Sequence, residues 1–100
     1  RVVLFCHFPV YPANVHNLWN HEAVTGLLAK YSCVVAYING HNHGGNYGKN
    51  GNIHYLTLKG MVDTMKSSYS VIEVYESELK VVGYGRQENR VMELPARSNR

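Results

Sequence analysis

The sequence predicts a mixed α/β (α+β mixed) fold in which one main helix lies against part of a mixed sheet. Three observations predict it. Two apolar runs, Val2 to Cys6 and Cys33 to Ile38, stop abruptly, the first at His7-Phe8-Pro9 and the second just before Gly40-His41-Asn42-His43-Gly44. Between them lies an apolar stripe at helical spacing. After them come short β-rich runs divided by turn residues.

The first strand is expected over Val2 to Cys6, because Pro9 ends ladder bonding soon afterwards. A loop with Pro9, Pro12 and Asn14 covers Phe8 to Leu18. A helix is expected from Asn20 to Tyr31, with Asn20 as its N-cap and Glu22 in the favourable first turn. Its stripe is Ala23, Val24, Leu27, Leu28 and Tyr31. The second strand is expected over Cys33 to Ile38. Gly44 to Asn52 reads as a loop, with Asn50-Gly51 as a hairpin-type turn signal. A third strand covers Ile53 to Leu58, and Gly60 to Ser68 reads as either a short helical turn or a loop. Tyr69 to Tyr75 and Leu79 to Tyr84, joined by Glu76-Ser77-Glu78, form an antiparallel hairpin. Val91 to Leu94 adds a last short strand. Residues 1–94 then make one domain segment and 95–100 a polar tail. One helix covers only part of this sheet, so apolar strand faces are left bare, and the chain reads as a segment lacking a partner.

At 45% hydrophobic and 17% charged residues, the chain has the composition of a folded domain. No segment has the apolar length to cross a bilayer. The net charge of +3 comes from scattered Lys and Arg without runs, which argues against nucleic acid as a partner. Cys6 and Cys33 fall inside expected strands, so both are read as buried free thiols in a reducing, cytoplasmic setting.

The chemistry concentrates in Gly40-His41-Asn42-His43-Gly44. If the chain stays extended beyond the strand, His41 and His43 face one site and Asn42 turns away. His7 closes the first strand, so imidazoles gather where two strands end. Neutral imidazole is a common ligand of transition metals. His16 falls in the loop that would rim such a site, whereas His21 and His54 read as structural or surface residues. Tyr11 and Trp19 have faces on which a nucleobase could stack, and both equally suit core packing or a hydrophobic staple at the helix entry. Asn14, Asn46 and Tyr47 carry groups that could hydrogen-bond phosphate or ribose, and all three equally suit ordinary loop structure. Lys59 and Arg86 read as solvated cations.

Together, His7-Phe8-Pro9, the following helix, and Asn39-Gly40-His41-Asn42-His43 resemble the C-terminal part of the calcineurin-like metallophosphoesterases. The likeness extends through Val10-Tyr11-Pro12, Leu18-Trp19-Asn20, Gly44-Gly45-Asn46-Tyr47 and Val82-Gly83-Tyr84-Gly85-Arg86. It implies the C-terminal half of a four-layer αββα sandwich, a mixed sheet with one main helix. It also implies two divalent metal ions, manganese first, with zinc, iron or magnesium as alternatives. His7 and His41 would bind one ion and His43 the other. The implied activity is hydrolysis of the phosphoanhydride of a small-molecule nucleoside diphosphate derivative, of ADP-ribose or CDP-alcohol type, by metal-activated water. On the chemistry of their own side chains, Tyr11, Asn14, Trp19, Asn46 and Tyr47 are the candidates to contact that substrate.

The family's upstream carboxylate motifs do not occur in this sequence. Its only aspartate is Asp63, and Asn20-His21-Glu22 reads as a helix start. Two-metal hydrolysis needs hard oxygen ligands, one of them bridging ions about 3.5–4 Å apart. Neutral imidazoles cannot supply that bridge. The isolated chain is therefore expected to be inactive, with the N-terminal half of the domain as its partner and the catalytic acid outside it. Two alternatives remain: a non-catalytic fragment that associates through its bare sheet, and a single-zinc module built on the histidines.

Overall fold

In the computed structural model, which describes residues 1–62 and 64–96, the apolar runs become strands and the sequence between them a crossover helix. Strand β1 (Val2–Cys6) leads to helix α1 (His21–Leu28) and then β2 (Val34–Asn39). A β3 (Asn46–Asn50) and β4 (Ile53–Thr57) hairpin follows. Strands β5 (Ser68–Val74), β6 (Glu78–Gly85) and β7 (Arg90–Glu93) complete the chain.

The strands form two sheets. The first has the order β1-β2-β4-β3, with β1, β2 and β4 parallel and β3 antiparallel at one edge. The second is the antiparallel meander β5-β6-β7. Central strands β2 and β4 are buried along their whole length, as parallel strands covered on both faces require. On one face Tyr37, Ile53 and Tyr55 pack with Val10 and Leu28, supported by Leu18 and Val24. On the other, Ala36, Ile38 and Leu56 meet Leu79, Val81 and Met92 of the second sheet. The mixed α/β class and the single main helix are as the sequence predicts.

Several local expectations need correction. The helix ends at Leu28, three residues early, and Asn20 makes no side-chain cap. Of its expected apolar stripe only Leu28 is buried, while Ala23, Leu27 and Tyr31 face outward. The segment expected to be all loop contains β3, because Asn46 to Asn50 pairs residue for residue with β4 across the Gly51-Asn52 turn. Gly51 takes a φ of +59°, which explains the Asn-Gly signal. Neither thiol is buried: Cys6 and Cys33 are both exposed and free. Cys6 ends a strand at the open sheet edge, and Cys33 precedes β2 instead of lying in it. The described residues between β4 and β5 form no helix, and Asp63 lies outside them. So does the end of the expected tail, residues 97–100. No described helix is long and apolar enough to cross a membrane.

The outer face of the second sheet is bare, as anticipated. Tyr69 and Tyr84 stack there with ring centres 4.8 Å apart, and Val71 and Val91 stand exposed beside them.

Candidate metal centre

The carboxyl ends of β1, β2 and β4 lie side by side, and each delivers its next residues to one edge of the sheet. Open parallel sheets commonly bind ligands there. His7 follows β1, His41 and His43 follow β2, and Lys59 and Gly60 follow β4. They line one open cleft of about 570 Å³ together with Phe5, Leu58, Met61 and Val62.

Hydrogen bonds hold the strand ends in place. Gly40 N–H donates to the His7 carbonyl at 3.1 Å, tying the two histidine-bearing segments together. The Tyr37 hydroxyl donates to the Phe8 carbonyl at 2.7 Å. Burial first, and then the Cys6 side chain, push the Tyr37 hydroxyl well above the usual phenol range, so it stays a donor. Beneath the site, Asn39 and Thr57 are buried side by side. Asn39 Nδ2 lies 3.0 Å from Thr57 Oγ1 and 2.9 Å from the Gly40 carbonyl. Sequence reasoning missed these supports. Polar residues closing two apolar runs were the available signal.

The extended geometry expected at His41 is not what forms. Asn42 N–H donates to the Gly40 carbonyl at 2.8 Å across His41, whose φ is +67°. This is a γ-turn of the rare, strained kind. A non-glycine residue in that conformation marks a place where the fold over-determines the backbone. The turn swings the His41 ring beneath Phe8, with centres 4.6 Å apart. It also brings it within 5.3 Å of the His7 ring and 5.6 Å of His16. Partial burial first, and then the His7, His16 and His43 rings, hold His41 below the ordinary histidine range. A ring kept neutral offers a lone pair to a metal. Two imidazoles on one ion at about 2.1 Å per bond set their ring centres roughly 5 Å apart, close to the His7–His41 spacing. His43 lines the same cleft from a separate direction, its ring against Gly60.

The donor set fits the nitrogen share of a divalent-metal site, and no carboxylate lines the cleft among the described residues. No three described His, Cys, Asp or Glu side chains are grouped so as to hold an ion by themselves. That leaves the single-zinc alternative without support from the geometry.

The five expected substrate contacts do not line this cleft. Tyr11 packs on the core, 5.0 Å from Tyr55, because its loop folds back over the helix-side face. Asn14 accepts from His16 N–H at 2.9 Å and so shapes its own loop. Trp19 stands 92% exposed, with neither core packing nor a helix-entry contact. Asn46 and Tyr47 border a separate hollow of about 170 Å³ beside Lys59, Glu88 and Arg90. The Tyr47 hydroxyl lies 2.7 Å from His54 Nδ1. Lys59 and Arg86 are not simply solvated. Lys59 pairs with Glu88 at 2.6 Å, and Arg86 donates to the Gly60 carbonyl at 3.0 Å.

A crystal structure of a dimetal phosphatase from Danio rerio superposes on this chain with a TM-score of 0.89 at 31% identity, over 95% of the chain. The chain has the fold of part of a dimetal phosphatase. It covers 32% of that structure. Among curated proteins, it is 33% identical to the manganese-dependent ADP-ribose/CDP-alcohol diphosphatase of Xenopus laevis, over 92% of the chain. It is 34% identical to the protein of that name from Danio rerio, over 89% of the chain. A plant relative of the same name, from Arabidopsis thaliana, is 30% identical. The chain spans less than a third of the length of these relatives. No family model matches the sequence. The resemblance to metallophosphoesterases, and the mixed α/β fold it implied, are borne out for the part of the fold that the chain spans.

Proposed function

We propose that this chain supplies the histidine side of a two-metal centre that hydrolyses a phosphoanhydride in ADP-ribose or CDP-alcohol type substrates. The observation that carries the proposal is the His7–His41 pair, 5.3 Å apart at the carboxyl edge of a sheet that matches a dimetal phosphatase. His7 and His41 would hold one divalent ion and His43 the other, with manganese favoured by the names of the relatives. When bound, such ions polarise a phosphate and lower the pKa of water so that it can attack phosphorus.

This chain's own residues orient and enclose. The strained turn at His41 and the Gly40–His7 hydrogen bond preset the imidazoles before metal or substrate arrives. Phe5, Leu58, Met61 and Val62 give the open cleft an apolar wall beside the imidazoles. Of the expected substrate contacts, Trp19 keeps an exposed face for a nucleobase, whereas the Tyr47 hydroxyl and the Tyr11 ring are engaged within the fold. The bridging carboxylate and the general acid would come from the remaining part of the domain. The isolated chain would then be inactive, as a small-molecule enzyme segment with neither nucleic acid nor membrane as a partner. The free Cys6 and Cys33 agree with a reducing cytoplasm.

The test is product analysis with the full-length protein, manganese and either ADP-ribose or a CDP-alcohol. Cleavage to two phosphomonoesters, lost in His7→Ala and His41→Ala, is the expected result. Absence of cleavage with a range of divalent ions overturns the reading. The bare Tyr69, Val71, Tyr84 and Val91 face favours a second reading, a non-catalytic association module. Concentration-dependent self-association of a full-length protein that hydrolyses nothing is the result that selects it.

A further inference from the structure

We propose that Gly60, held from the second sheet by Arg86, is the positioning residue that sets the direction of the His43 ring. The inference rests on His43 being a metal ligand, as proposed above. Gly60 N–H donates to the His43 carbonyl at 3.1 Å, so the two backbones are joined. A β-carbon on Gly60 would lie 2.8 Å from His43 Cγ, 2.9 Å from Cδ2 and 3.0 Å from Cβ. These atoms are the root of the side chain and not its far end. Any larger residue must therefore displace the whole ring, and glycine alone leaves it where it stands.

Gly60 is itself fixed from the opposite layer. Arg86 Nη1 donates to its carbonyl at 3.0 Å, while the Arg86 backbone N–H is anchored on the Ser67 carbonyl at 3.1 Å. The next two residues hold Lys59. Gln87 Oε1 accepts from its backbone N–H at 2.9 Å, and Glu88 pairs with its ammonium at 2.6 Å. Three consecutive residues after β6 thus clamp Lys59 and Gly60 after β4, and Gly60 in turn seats the histidine after β2. Partners that orient a metal ligand without touching the metal commonly change affinity by about 10–100-fold. The second sheet acquires a functional role by this route, although it donates no group to the cleft.

The experiment measures manganese affinity of the full-length protein by the loss of the free Mn²⁺ electron paramagnetic resonance signal. Gly60→Ala is expected to weaken binding about tenfold. In a His43→Ala background the same substitution should change it less than about twofold, since the two residues act through one contact. A factor that is equal in both backgrounds, or unaltered affinity in Gly60→Ala alone, overturns the proposal. Arg86→Ala should weaken binding about threefold, and Arg86→Lys, which keeps a donor for the carbonyl, should recover most of it. If Gly60→Ala does not fold, the Arg86 pair decides, and unchanged affinity in Arg86→Ala overturns the proposal. Unchanged affinity in His43→Ala would instead remove the ligand reading and this inference with it. Loss in His43→Ala beside full affinity in Gly60→Ala removes this inference alone.

Discussion

His54 and His41 belong to the same sheet region, and in both, burial leads the causes that hold the ring below the ordinary histidine range. Their surroundings give them opposite uses. His54 lies inside β4, 3% exposed, with both nitrogens engaged. The Glu93 carbonyl, 2.6 Å from Nε2, can only accept, so Nε2 carries the proton and Nδ1 accepts from the Tyr47 hydroxyl. The ring therefore ties the two sheets together, and Arg90 lies over Tyr47, 3.9 Å from its ring centre. His41 sits in a strained turn at the cleft, and among the described residues its ring makes ring contacts but no hydrogen bond. An imidazole with both nitrogens held by protein is a structural part. One that stays neutral at a cleft, with a nitrogen lone pair free, is suited to be a ligand.

The largest test of this contrast is on activity. His41→Ala should lower hydrolysis by the full-length protein by about 100-fold or more while leaving the fold intact, as expected for loss of a metal ligand. His54→Ala should do the reverse, costing about 2–3 kcal/mol of stability through two lost hydrogen bonds and a cavity between the sheets. Urea unfolding midpoints measure the second effect. If His54→Ala unfolds at the wild-type midpoint, the interlayer role assigned to it is wrong. A smaller effect separates backbone from side chain at His41. Because its φ is +67°, His41→Gly should melt about 2 °C higher than His41→Ala, although both lose the imidazole. Equal melting temperatures would mean the turn stores no strain.

This contrast was only half legible in the sequence. The apolar runs, the strand-ending histidines and the Asn-Gly turn were readable because each is a local pattern that the fold preserves. The parallel pairing of β1, β2 and β4 aligns their ends, so reading His7 and His41 as neighbours followed from chain order alone. Strand β3 was not readable, since Asn46, Gly48 and Asn50 are poor strand formers that pair only because β4 offers them an edge. The His41 turn was hidden for a similar reason. Alternation predicts direction only while the chain stays extended, and β2 stops at Asn39. Arg86 looked like a solvated cation because its partner, Gly60, lies 26 residues away in sequence. The role of His54 likewise depends on Glu93, which the second sheet carries to it.

The smallest expected effect is also the one that sharpens the contrast furthest. Since burial keeps His54 neutral in the folded chain, the unfolded chain binds its proton more readily. Unfolding then takes up a proton once the pH drops below about 6.5, the ordinary histidine value. The stability that depends on neutral His54 is fully present above that pH. It is lost progressively as the pH falls toward the depressed folded-state value. His54→Gln keeps an N–H for the Glu93 carbonyl but cannot titrate, so it should be less stable at pH 7 and yet lose less stability between pH 7 and pH 5. Comparing the two slopes cancels the carboxylates and the other histidines, which titrate alike in both proteins. Saturating manganese should leave the difference between these slopes unchanged, because His54 lies between the sheets and not on the cleft. A metal-dependent difference would mean that the two histidine sites communicate, and the division of labour between them would have to be redrawn.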